Sequence, residues 1–129
     1  MAVSGINLIV LRAKDPDRMR DFYTTLGLDF VEEKHGAGPR HHACDMDGVI
    51  LEIYPCATGV AATTGTRLGF TVSSLAETLE ALGDTPPMLS PPRLRAGTQC
   101  CVLEDPEGHR VELVETRAST FSESQPSLA

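Results

Sequence analysis

The sequence predicts an α+β chain made of two tandem βαβββ modules, over residues 5–56 and 66–115. Three observations carry this. Each half runs strand, helix, then three strands when its hydrophobic period is read alone. A turn-plus-strand motif occurs in both halves. The length, 129 residues with 41% hydrophobic and 22% charged, suits one ordinary domain. The reading is therefore a single domain over residues 1–115, with 57–65 as a linker and 116–129 as a disordered tail.

The first module opens with Ile6 to Ala13, aliphatic enough for a strand buried on both faces. Asp15 then supplies a helix cap and Pro16 the first helical position, while Met19, Phe22, Tyr23 and Leu26 recur at i, i+3, i+4 and i+7. Gly27 stops the helix. Leu28 to Glu33, Arg40 to Cys44 and Val49 to Tyr54 read as strands, the last two joined by Asp45-Met46-Asp47-Gly48. Small residues between Cys56 and Thr66 then form the connection.

In the second module Leu68, Phe70 and Val72 alternate with Arg67, Gly69 and Thr71, as expected of a strand with two unlike faces. Ser74 with Glu77 makes a capping box for a short helix carrying Leu75, Leu79 and Leu82 and ending at Gly83. Pro86, Pro87, Pro91 and Pro92 allow at most a short edge strand around Met88 and Leu89. Thr98 to Glu104 and Arg110 to Glu115 complete the copy. Past Thr116, serine and proline replace any apolar period.

The repeat is numerical. Asp45-Met46-Asp47-Gly48 with Leu51-Glu52-Ile53 returns sixty residues later as Asp105-Pro106-Glu107-Gly108 with Val111-Glu112-Leu113, and Leu8 maps onto Arg67.

Charge narrows the partners. Eleven Lys and Arg against 18 Asp and Glu give a net charge of −7, which disfavours nucleic acid and anionic membranes. The expected partner is a small molecule. No early apolar run is long enough for a bilayer or a signal core, so the expected setting is soluble and cytoplasmic. The four cysteines form no C-x-x-C pair and read as free thiols.

Alternation places Val49, Leu51 and Ile53 on one face of their strand and Ile50, Glu52 and Tyr54 on the other. Val111 and Leu113 likewise oppose Arg110, Glu112 and Val114. A carboxylate between aliphatic neighbours needs a wet face, a partner or a metal. Two of them at matching repeat positions point to a site.

The opening strand followed by Lys14-Asp15-Pro16, Asp21-Phe22-Tyr23 and Leu26-Gly27, and above all Asp105-Pro106-Glu107-Gly108-His109-Arg110-Val111-Glu112-Leu113, resembles the vicinal oxygen chelate superfamily over about residues 5 to 115. This is the glyoxalase, bleomycin-resistance and extradiol-dioxygenase group. The resemblance implies paired modules whose mixed sheets curl around a cavity, often in a homodimer, and a divalent metal held by the first and last strands of each module.

Carried over residue by residue, the last-strand ligands fall on Glu52 and Glu112, and the first-strand positions fall on Leu8 and Arg67. Leucine offers no donor atom and guanidinium no lone pair. The inherited site is therefore degenerate and no cofactor is expected. If any metal binds, it is Mg or Mn on Glu52 and Glu112 with waters.

Arg67 is expected to pair with Glu112 in place of a cation, or else to bind a substrate carboxylate or phosphate. His42 is expected across from Glu52 if the two modules share one hairpin register. There it is a candidate acid/base, the alternative being a half-buried histidine satisfied by a carboxylate or water. His35 reads as a solvated loop residue and His109 as a turn cap. Parity directs Cys44 and Cys100 to the carboxylate faces as packing thiols.

The candidate catalytic residues are thus Glu52, Glu112 and His42. The candidate ligand-binding residues are Leu8, Val10, Ile50, Tyr54, Arg67 and Val114. Three functions fit: a metal-free small-molecule binder, as the bleomycin-resistance branch implies; a divalent-metal-dependent lyase or isomerase of the glyoxalase type; and a metal-free acid/base enzyme.

Overall fold

Both halves of the chain form the expected βαβββ module in a computed structural model that describes residues 2–57 and 61–116. The chain divides into two units between Thr64 and Gly65. The tail expected at 116–129 lies outside the described residues apart from Thr116.

The first unit holds β1 (Leu8–Ala13), α1 (Pro16–Thr25), β2 (Val31–Glu33), β3 (His41–Met46) and β4 (Val49–Pro55). Its sheet has the order β1-β4-β3-β2, with β1 parallel to β4 and the other pairs antiparallel. Asp15 caps α1 by accepting from the Arg18 N–H at 3.1 Å. Met19 and Tyr23 on α1 pack over Leu11, Ala13, Leu51 and Ile53, all fully buried. β1 is not buried on both faces as its composition suggested. Only Leu11 and Ala13 are buried, while Leu8 on the other face is 48% exposed. The connection that follows is tied back to β1, where Thr63 exchanges backbone and side-chain hydrogen bonds with Arg12.

The second unit holds β5 (Arg67–Val72), α2 (Leu75–Leu82), β6 (Met88–Arg95), β7 (Thr98–Glu104) and β8 (Arg110–Glu115). Its sheet order, β5-β8-β7-β6, repeats that of the first. Ser74 caps α2 through the Glu77 N–H at 3.2 Å, and Gly83 ends it at φ 67°. Leu75 and Leu82 of α2, Leu68, and the apolar face of β7 and β8, with Cys101, Leu103, Val111 and Leu113, are buried.

β6 corrects the expectation of a short edge strand. It runs for eight residues through Pro91 and Pro92. Two circumstances permit this: β6 is an edge strand of its sheet, and its pairing with β7 shifts register between Ser90 and Arg93, where the prolines sit. A two-residue turn, Ala96 (φ 52°) and Gly97 (φ 78°), then returns the chain to β7.

The turn Asp105–His109 is a closed polar unit. Asp105 Oδ1 accepts from the backbone N–H of Glu107 and of His109, both at 2.9 Å, and its Oδ2 lies 2.8 Å from His109 Nδ1. Both side chains are fully buried. His109 thus caps the turn, as its position suggests.

Candidate functional site: two carboxylate-bearing sheet faces

On the first sheet, Leu8, Val10 and Arg12 of β1 pair in register with Ile50, Glu52 and Tyr54 of β4. The expected residues Leu8, Val10, Ile50, Glu52 and Tyr54 therefore share the face away from α1. On β3 the residue opposite Glu52 is Ala43, and His42 lies opposite Ile53. The expected placement of His42 beside Glu52 is incorrect.

The cause is turn length. β3 and β4 close on a two-residue hairpin, Asp47 (φ 57°) and Gly48 (φ 100°), with Met46 opposite Val49. In the second unit five residues separate Glu104 from its partner Arg110, and Val102 lies opposite Glu112. Transferring that register to the first unit is wrong by one residue, and a slip of one turns each side chain to the other face. His42 accordingly points to α1, where its Nε2 lies 2.8 Å from Asp17 Oδ1. That hydrogen bond holds the Asp17 carboxyl below the usual carboxylate range. This is the structural histidine held by a carboxylate, although its buried Nδ1 has no hydrogen-bond partner among the described residues. Cys44 moves with it to the helix face, opposite Leu51, and burial pushes its thiol up.

His41 takes the place expected for His42. Its ring, 1% exposed, stacks on Tyr54 with centroids 4.1 Å apart and 8° between planes. Its Nδ1 lies 3.2 Å from the Pro39 carbonyl oxygen, and its Nε2 lies 3.3 Å from Glu33 Oε1, 3.6 Å from Glu52 Oε2 and 3.4 Å from the Tyr54 hydroxyl. His35, 72% exposed, is less detached than a solvated loop residue. Its Nε2 is 3.6 Å from Glu33 Oε1 and its ring centroid 5.1 Å from that of His41. Burial and the Glu52 charge push the Tyr54 phenol up, and the Arg12 guanidinium stands 5.5 Å from its ring centroid.

On the second sheet, Arg67 Nη2 reaches Glu112 Oε2 at 3.3 Å, the contact expected from strand parity. Arg95 was not foreseen: its Nη1 lies 3.0 Å from the same oxygen. Reading β6 as a short strand hid it. On an eight-residue strand Arg93 pairs with Cys100 and Arg95 with Thr98, which turns both arginines to the Glu112 face. Hydrogen bonding from Arg95, reinforced by Arg67, holds the Glu112 carboxyl below its ordinary range. Val114 lies on this face, opposite the buried thiol of Cys100.

These residues do not fit a metal bridging the first and last strands. Leu8 has no donor, Arg67 is a cation, and Glu112 already pairs with two guanidinium groups.

The family model for the Glyoxalase/Bleomycin resistance protein/Dioxygenase superfamily matches residues 5–113. The chain belongs to this superfamily. No curated protein matches it. Among solved structures, it is similar to TnmS3, an antibiotic binding protein from Streptomyces sp. CB03234, at TM-score 0.72 and 18% identity, covering 89% of this chain and 98% of that one. It is also similar to a superfamily member from Sphaerobacter thermophilus DSM 20745, at TM-score 0.70 and 18% identity, covering 90% of this chain and 100% of that one. A third, the oxidase ChaP-H2, gives TM-score 0.67 at 19% identity, covering 90% and 95% respectively. At these identities the likeness shows the fold, and this superfamily fold serves both binding and oxidation. Among the described residues, no helix is long and apolar enough to cross a membrane.

Proposed function

We propose that this superfamily member binds a small organic molecule on its carboxylate-bearing sheet faces and does not use a metal at Glu112. The observation that carries this reading is the double clasp of Glu112 by Arg67 and Arg95, at 3.3 and 3.0 Å. An ion pair of this kind does the electrostatic work a divalent ion would otherwise do, and it offers no Lewis acid to a substrate. Arg67 and Arg95 each remain half exposed, so a ligand carboxylate or phosphate can still reach them. The first sheet offers the complementary chemistry: the Tyr54 and His41 rings beside Glu52 and Glu33 suit a planar or cationic group. That TnmS3 is an antibiotic binding protein supports small-molecule binding in general. The reading includes a homodimer in the cytoplasm.

The test is thermal melting of EDTA-treated protein with bleomycin and a panel of planar aromatic and cationic antibiotics. A ligand present at about 100 times its dissociation constant adds about 2.7 kcal/mol, a shift of several degrees for a domain of this size. The expected result is such a shift in EDTA, reduced by Tyr54→Ala or Arg67→Ala. Turnover of a substrate that is lost in EDTA and restored by a divalent metal, and lost again in Glu112→Gln, overturns the reading in favour of a glyoxalase-type lyase or isomerase.

A further inference from the structure

We infer that Glu33, His35 and His41 form a divalent-metal site of the borderline class that zinc, cobalt and nickel represent, with the Glu52 carboxylate beside it as a fourth ligand. The site lies wholly within the first unit and does not depend on the small-molecule reading. It also differs from the first- and last-strand ligand set, since two of its three ligands come from β2 and β3 and the third from the loop between them.

Distance is the first argument. Glu33 Oε1, His35 Nε2 and His41 Nε2 all lie within 4.8 Å of one another, with Glu33 Oε1 at 3.3 Å from His41 Nε2 and 3.6 Å from His35 Nε2. Ligands about 2.0 to 2.2 Å from a tetrahedral ion stand roughly 3.3 to 3.6 Å apart. The Glu33 distances are already near that spacing, and the third ligand, His35, is on an exposed side chain.

The second argument is the set of groups around His41 Nε2. The Pro39 carbonyl can only accept, so His41 Nδ1 carries the hydrogen, as ligating histidines commonly do toward a backbone carbonyl. In the neutral ring Nε2 is then a bare lone pair. It faces Glu33 Oε1 at 3.3 Å and Glu52 Oε2 at 3.6 Å, both acceptors when ionised, with the Tyr54 hydroxyl 3.4 Å away; Glu52 is largely buried and Glu33 partly exposed. Such convergence of one lone pair and two carboxylates suits a metal cation at the centre.

The third argument is preorganisation. Glu33 and His41 are register partners on adjacent strands. The intervening loop folds through a tight turn in which the Gly38 N–H donates to the His35 carbonyl at 2.9 Å. Gly36 takes φ 59° there, and a Cβ at Gly38 would come within 3.0 Å of that carbonyl. The backbone itself thus returns His35 to His41. Two imidazoles and a carboxylate, with open positions left over, suit borderline ions better than magnesium or calcium.

The experiment uses untagged, EDTA-treated, then dialysed full-length protein. Co(II) is titrated by visible absorption, and Zn(II) by calorimetry with thermal melting in parallel. The expected result is one ion per chain with a d–d spectrum free of thiolate charge transfer, and affinity lowered at least about tenfold by His35→Ala and by Glu33→Gln. His35 is exposed, so its removal leaves the core intact, and an unchanged melt of the apo variant verifies this. Glu112→Gln leaves the affinity unchanged. Failure of the wild type to bind either ion overturns the proposal, as does binding that His35→Ala leaves intact. Binding lost only in Glu112→Gln also overturns it, and places the ion on the inherited set instead.

Discussion

His41 and Tyr54 lie face to face at 4.1 Å, and the Tyr54 hydroxyl stands 3.4 Å from the Nε2 of the ring that it stacks on. Burial and the neighbouring Glu52 charge both disfavour the phenolate. Spectrophotometric titration of wild type minus Tyr54→Phe is expected to show a phenol that ionises above ordinary tyrosine. Glu52→Gln, which deletes one cause and keeps the burial, moves that titration back toward the ordinary value. A Tyr54 titration indistinguishable from a free tyrosine contradicts the geometry.

Acid stability reports the Glu112 clasp. A carboxyl held below its ordinary value stabilises the fold at pH above the unfolded value, and that contribution is lost as pH falls through the folded one. Glu112→Gln is expected to flatten the acid limb of a urea-stability profile. At neutral pH it costs about 1 kcal/mol or less, because both guanidinium groups are half exposed. Arg95→Gln flattens the same limb more than Arg67→Gln, since Arg95 makes the shorter contact.

The buried Asp105 and His109 pair is the costlier one to break. Asp105→Ala leaves two backbone N–H groups and a buried imidazole without their shared acceptor. Chemical denaturation is expected to show a loss of about 3–5 kcal/mol, as for other buried pairs deprived of one partner. A loss near that of a surface variant would mean that water replaces the carboxylate.

The hairpin that sets the first sheet's register depends on two residues with positive φ. Gly48→Ala is expected to cost about 1–2 kcal/mol by the same denaturation, because φ 100° is strained for any Cβ. Asp47→Asn is expected to be neutral or slightly stabilising, since asparagine favours that conformation and Asp45 still accepts from the Gly48 N–H at 3.0 Å.

Much of this was legible in the sequence. Two βαβββ modules follow from alternation, helix caps and the sixty-residue repeat, and the Arg67 contact with Glu112 follows from strand parity alone. The histidine beside Glu52 did not follow, because the repeat hides a difference in turn length. The signal was present nonetheless. Asp-Gly marks a two-residue hairpin, and counting outward from Met46 and Val49 puts Ala43 opposite Glu52 and His41, not His42, on its face. Arg95 was hidden by a sound rule applied too strictly, since proline stops a central strand but not an outer one. His35 lies beyond any periodicity; only a folded loop brings it to His41.

The prolines of β6 have one more effect. That strand exposes Met88, Leu89 and Leu94 at 43%, 44% and 68%, a combination of apolar side chains and open ladder that invites intermolecular pairing. Of the two amide donors that Pro91 and Pro92 remove from its middle, one belongs to the outward edge, and the register shift at the prolines breaks the strand's regular pairing there. A foreign strand can therefore zip onto neither half for more than a few residues. The feature that obscured this strand in the sequence also protects the sheet from aggregation at its outer edge.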